Sequence, residues 1–366
     1  MAAVAPSQVT GTGTGLAFPT SVENLLAEGA NFLTRAFRAS GALAPDNAVT
    51  AITGWQEFFG GGMGRKLWLD VAYARPDPGL HTRLFAKFTR EFGDPLLALF
   101  GPLMEPEVRF AQLSRRPGFP VKVPCCYFAD YSPDPVCGLL ITERVPYGEG
   151  PVLTCPEKGM DWQLDDPLPY YHALVDAAAT LAGSHHAGRL GPDVDRQFPF
   201  DANVIDPGSR IPYTAQTLAA QLQRVRDFAA QAPQLFPADA DIAGFLAEVP
   251  MVLDLEEAIR RELNHAPGMI ALCHWNLNLD NAWFERRADG GLDAGLLDWG
   301  SVAQMNIAQS FFGITCAAEP DFLARHEGDL VARFVDRYAA AGGPRIDAAR
   351  MHFLVKLSMA VLGTAW

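Results

Sequence analysis

Several absences bound this chain before any motif is read. No stretch approaches the roughly 20 apolar residues that a membrane span requires, so the chain is expected to be soluble. No run of Lys and Arg forms a local basic patch. With 29 basic against 42 acidic residues, the formal charge of −13 argues against a nucleic-acid footprint. The cysteines at 125, 126, 137, 155, 273 and 316 form no CxxC pair and keep no regular spacing, so they read as reduced, packed thiols in a cytoplasmic protein. The N-terminal "MAAVAPSQVTGTGTGLAFPTSV" has neither a basic n-region nor a long apolar h-region and is not expected to act as a signal peptide. Its Thr-Gly alternation predicts a flexible tail over residues 1–20. Internal repeats and the HExxH metal signature are also missing.

What is present points to a folded protein of two lobes. A chain of 366 residues, 49% hydrophobic and 19% charged, buries a large core. Residues 21–40 carry apolar side chains at helical spacing behind a capping-type Ser21. "GWQEFFGGGMGRKLWLDVAYA" reads as strand, glycine loop, strand, because Leu67, Leu69, Val71 and Tyr73 alternate with Lys66, Trp68, Asp70 and Ala72. "TRLFAKF" is a third strand, "MEPEVRFAQLSRR" a helix with Pro106 in its first turn, and "GLLITERV" a further strand. Beyond "PYGEGPV" the chain turns Ala/Leu-rich and helical over 168–190, 214–232 and 238–264. The expected class is therefore α+β: a small antiparallel lobe at 21–147 and a larger helical lobe at 148–366.

"CHWNLNLDNAWF" (Cys273 to Phe284) sets polar residues among apolar ones and leads through a turn at "ADGG" to Asp298-Trp299-Gly300. If Ala288 to Gly291 close a hairpin, Asn281 falls opposite Asp298. That pair of oxygen-bearing side chains suits a hard cation such as Mg²⁺ together with phosphate oxygens. An ordinary turn would use the same residue types to satisfy its own backbone. The order H-x-N-x-x-x-x-N followed by D-W-G carries the functional reading, because it matches the spacing of the kinase catalytic loop and D-F-G.

On these residues the chain resembles the aminoglycoside phosphotransferase and choline kinase-like group of the protein-kinase-like fold, from about Phe58 to Gly300. The resemblance implies an ATP- and Mg²⁺-dependent transfer of phosphate to a hydroxyl of a small molecule. It implies nucleotide contacts from Gly60, Gly61, Gly62, Met63 and Gly64, from Lys87 oriented by Glu107 (Glu105 being the alternative partner), and from a hinge at Ile141 to Val145, with Glu143 and Val145 at the adenine. It implies a metal held by Asn281 and Asp298, a catalytic loop at His274 and Asn276, and an acceptor docked near 191–267. One position departs from the pattern. Relatives have Asp where this chain has Asn276, and an amide takes up no proton at neutral pH although it still accepts a hydrogen bond. A general base is worth about 10²–10⁴ in rate, so the chain is either a slow phosphotransferase or a nucleotide-binding, pseudokinase-like module. A hydrolase built on His274, Asp280 and Asp298 is a distant third reading.

Overall fold

A computed structural model describes residues 6–60, 64–154, 156–202, 214–236, 238–300 and 302–365. The leading segment departs from the expected flexible tail. β1 (Gln8–Thr10) pairs antiparallel with β2 (Ala17–Pro19). The glycines allow close approach rather than flexibility: a Cβ at Gly11 would lie 2.0 Å from Asp130 Oδ2. Asp130 is fully buried and accepts from the backbone N–H groups of Gly13 (2.9 Å) and Thr14 (2.8 Å). A buried carboxylate met by several N–H donors holds the loop firmly.

α1 (Val22–Ala39) starts where Ser21 accepts from Asn24 N–H, the N-cap read from the sequence. β3 (Val49–Phe58), β4 (Lys66–Tyr73) and β5 (Arg83–Phe88) form the expected meander. The short α2 (Leu97–Phe100) leads to α3 (Met104–Leu113). β6 (Cys126–Pro133) and β7 (Val136–Glu143) then complete a five-stranded antiparallel sheet in the order β3-β4-β5-β7-β6. The sequence reading missed β6, for a physical reason. It is buried along nearly its whole length, so it shows no period-2 alternation. α1 packs on one face through Phe32 against Phe128, and α3 on the other through Met104 and Val108 beside Ala129 and Tyr131. Each such buried side chain stabilises the lobe by about 1.5–3 kcal/mol.

The second lobe is built on α4 (Leu168–His186), which is apolar nearly all round because it sits inside the lobe. This helix is followed by α5 (Val194–Gln197), α6 (Ala215–Gln231) and α7 (Ile242–Asn264) from the predicted 191–267 insertion, whose residues 203–213 fall outside the described ones. β8 (Ile270–Cys273), β9 (Ala282–Arg286), β10 (Leu292–Leu296) and β11 (Ala303–Asn306) make two small ladders, β8 with β11 and β9 with β10. α8 (Ile307–Thr315), α9 (Pro320–Ala340) and α10 (Ala348–Ala365) close the core, where Leu174, Leu181, Phe311 and Phe334 are fully or almost fully buried. Among the described residues no helix is long and apolar enough to cross a membrane.

Candidate active site

Lys87 stands on β5 with its side chain only 2% exposed, and a buried ammonium must find carboxylates. Its Nζ donates to Glu107 Oε2 (2.7 Å) and Oε1 (3.0 Å) and to Asp298 Oδ1 (2.8 Å). Glu107 lies in the first turn of α3 and is equally buried; Glu105 pairs instead with Arg109 on its own helix. Burial alone would lower the Lys87 pKa, but the charges of Glu107 and Asp298 outweigh it and hold the lysine above its ordinary value. In turn the Lys87 charge drives the Asp298 carboxyl far below the usual carboxylate range. Burial pushes Glu107 up against the pull of the lysine.

Asp298 reaches this position by a turn that the sequence reading placed one residue out. The hairpin closes on Arg287 and Gly291, with Arg287 N–H donating to Gly291 O at 2.8 Å, so the loop holds three residues rather than four. The cause is Gly290, whose φ of +85° supplies the left-handed residue that three-residue hairpins use. Asn281 consequently faces Leu297, whose N–H donates to Asn281 O at 2.8 Å, and Asp298 lies one residue further on. Asp298 has φ +56°, the one positive value at a non-glycine position among the described residues. Aspartate tolerates this region better than most side chains, at a cost of about 1–3 kcal/mol. Trp299 is stacked on Phe110, with ring centroids 3.6 Å apart, one turn along α3 from Glu107.

His274 is not among the residues that line the cleft described below. It is buried, and its Nε2–H donates to Leu297 O at 2.7 Å, with the imidazole 4.6 Å from the Trp299 ring. Burial holds its pKa below the ordinary histidine value, so the ring is neutral and positions the backbone before Asp298. Asn276 Oδ1 accepts from Asn278 Nδ2 at 2.9 Å, and the Cys316 thiol donates to Asn278 Oδ1 at 3.0 Å. Asn281 Nδ2 donates to Asn276 O at 2.7 Å. At Trp275 the backbone is met by α8: a Cβ at Gly313 would overlap the Trp275 carbonyl.

A cleft of about 640 Å³ runs between the lobes, lined by Lys87, Glu107, Asn281 and Asp298 together with the apolar Phe85, Leu140 and Val145. Glu143 and Val145 both line it. The Glu143 N–H is already donated to Cys125 O (2.9 Å), whereas the Val145 N–H takes no protein partner among the described residues. The Glu143 carboxylate meets His81 Nε2 at 2.6 Å. The Cys125 thiol and the Glu143 carboxylate hold the His81 imidazole up to about 10. The folded value exceeds the unfolded one of about 6.5, so the stabilisation is complete below that pH and is lost as pH rises toward about 10. His81→Asn is expected to lower the melting midpoint clearly at about pH 6 and hardly at all at about pH 10. Because the side chain is 46% exposed, the effect stays within about 1 kcal/mol. In the glycine loop, Gly60 has open space around its Cβ position and Gly64 packs against Phe88 O; Gly61, Gly62 and Met63 lie outside the described residues.

A strand lysine paired with a helix glutamate in one lobe, and reaching an Asp-Trp-Gly aspartate in the other, decides the architecture. The fold is protein-kinase-like. No protein-family model and no curated protein matches the chain. Solved structures with a similar layout include choline kinase from Cryptosporidium parvum Iowa II (15% identity, TM-score 0.44, covering 85% of this chain and 80% of that one). Macrolide 2'-phosphotransferase type I is another (16%, 0.42, 86% and 84%). A third is the GDP complex of wild-type aminoglycoside 2'-phosphotransferase-IIIa (14%, 0.39, 87% and 86%). At these identities and TM-scores the likenesses bear on neither substrate nor mechanism.

One residue of this kinase-like cleft escaped the sequence reading. Lys66 opens β4 directly across the ladder from Lys87 and lines the cleft, with no carboxylate in ion-pair contact among the described residues. Burial, then the Lys87 charge, lowers its pKa. Alternation had assigned Lys66 to the face opposite Leu67; the signal that it matters is the β4–β5 register, which sets two like charges side by side. Among the described residues no group of three or more His, Cys, Asp or Glu could hold a metal unaided. The oxygen donors present suit Mg²⁺ brought with phosphate. With Asn281 Nδ2 bound to Asn276 O and Asp298 Oδ1 bound to Lys87, each side chain keeps an oxygen free of protein donors among the described residues.

Proposed function

We propose that this protein is an ATP- and Mg²⁺-dependent phosphotransferase acting on a hydroxyl of a small molecule. The observation that carries the proposal is Lys87 held between Glu107 and Asp298 in the wall of the cleft. Lys87 binds the α- and β-phosphates, and Lys66, across the ladder from it and in no ion pair among the described residues, offers them a second cation. The Val145 N–H takes an adenine nitrogen while Phe85 and Leu140, on one face of the sheet, cover the ring from one side. Asn281 and Asp298 hold the metal, which when bound neutralises charge on the phosphates. The small lobe is assigned to 21–147 together with the β1–β2 segment packed on it, and the large lobe to 148–366, with the acceptor docking near 191–267. Phosphoryl transfer runs through a loose transition state, so positioning and charge neutralisation carry most of the acceleration.

A second reading, a nucleotide-binding module without transfer, draws on Asn276, whose amide oxygen is engaged by Asn278. Both readings require nucleotide. Mg-ATP at about 100 times its Kd is expected to stabilise the fold by about 2.7 kcal/mol, seen as a raised midpoint in a thermal melt. An unchanged midpoint with both Mg-ATP and Mg-GTP rejects both.

A further inference from the structure

Resting on the phosphotransferase reading, we propose that Lys66 makes the first direct contact with the nucleotide phosphates and holds them without a metal, Lys87 joining only when Asp298 releases it. The reason is a count of donors. An ammonium carries three N–H groups. Those of Lys87 go to three carboxylate oxygens, Glu107 Oε1 (3.0 Å), Glu107 Oε2 (2.7 Å) and Asp298 Oδ1 (2.8 Å). Lys87 therefore brings charge to the cleft but has no N–H to spare. The Lys66 ammonium makes no hydrogen bond or ion pair among the described residues, so its donors are free, and it lines the same cleft. Lys87 gains a free N–H only when Asp298 turns to another cation. It stays necessary all the same, since without it the charges of Glu107 and Asp298 would draw Lys66 to themselves.

The register of the sheet aims this ammonium. Lys66 stands directly opposite Lys87, and the next pair on that face, one step toward the hinge, is Trp68 with Phe85. Side chains two residues apart on a strand share a face and lie about 7 Å apart, so a cationic row is followed by an aromatic one, both in the cleft wall. A nucleotide needs that order, with phosphates on one row and base on the other. The preceding Arg65 is tied to Glu57 (2.6 Å), Glu23 (2.7 Å) and Glu91 (2.7 Å), and Glu57 pairs with Leu67, on the face away from Lys66. With Arg65 held there, alternation turns Lys66 into the cleft. The placement weakens the empty protein. Like charges directly opposite each other destabilise a ladder, and burial and the Lys87 charge both disfavour the Lys66 cation. A lysine kept for packing would gain nothing from such a position, whereas one that receives an anion recovers the loss on binding.

Thermal melts of the full chain with ATP in EDTA, and separately with Mg-ATP, test the assignment. The wild type is expected to shift in both, less in EDTA. Lys66→Met is expected to need at least about tenfold more ATP for the same shift in EDTA, the loss of one charge-assisted hydrogen bond. It should keep part of the Mg-ATP shift and melt no lower than the wild type without ligand. Lys66→Arg, which retains the charge and the donors, is expected to restore the shift in EDTA. A Lys66→Met variant that responds to ATP in EDTA as the wild type does, or that melts well below it when empty, overturns the assignment. So does a wild type that responds to Mg-ATP but not to ATP in EDTA. A wild type that responds to neither instead rejects the nucleotide site itself.

Discussion

Replacing Lys87 by Met is expected to cost about 3–5 kcal/mol of folding stability, the range for breaking a buried ion pair by removing one partner, and to erase the Mg-ATP melting shift. Met fills much the same volume, so packing on β5 changes little and the loss is electrostatic. Glu107 is left as a buried carboxylate with no counter-charge, and Asp298 loses the contact that depresses its pKa. The sign of the pH dependence follows. Asp298 contributes stability that is present above the ordinary carboxylate pKa and lost as pH falls through its much lower folded value. The variant is therefore expected to lie furthest below the wild type near neutrality and to approach it in acid. Urea melts at neutral and acidic pH measure both effects; equal midpoints at neutral pH would remove Lys87 from the centre of the site.

Asp298→Asn is expected to separate the metal from the ion pair. Asparagine tolerates the left-handed φ of +56° as aspartate does, so the turn survives. Its Oδ1 still accepts from Lys87, so the lobe-to-lobe contact weakens without vanishing. Since the Asp298 side chain is 36% exposed, screening keeps the stability loss to about 1 kcal/mol or less. The effect on the ligand is larger. In the wild type the melting shift with ATP is expected to depend on added Mg²⁺; in Asp298→Asn, ATP with and without Mg²⁺ should give the same small shift. A variant that keeps its full Mg²⁺ dependence would take the metal away from Asp298.

The features that sequence reasoning could reach were those with a local signature. Ser21 ahead of an amphipathic run marked the start of α1, and the alternation from Leu67 to Tyr73 marked β4. A lysine in an apolar strand, twenty residues before a helix-opening glutamate, marked Lys87 and Glu107, although the choice between Glu105 and Glu107 needed coordinates. Features that depend on tertiary contact were not legible. β6 is covered on both faces and so loses its period. The β9–β10 register turns on the left-handed Gly290, a conformation composition does not reveal. Lys66 matters only through the strand opposite it, and the contact between Asn278 and Asn276 joins two side chains whose spacing carries no signal.

The clasp of Gly13 and Thr14 on Asp130 does more than anchor the leading segment. β6 is the outermost strand of its sheet, and an unpaired strand edge is a template for other chains. Thr12 N–H donates to Tyr131 O at 2.9 Å, so the segment occupies hydrogen-bonding capacity that a neighbouring molecule would otherwise use. The Thr-Gly stretch thereby covers part of this strand edge, and its small residues are what let it lie close enough to do so.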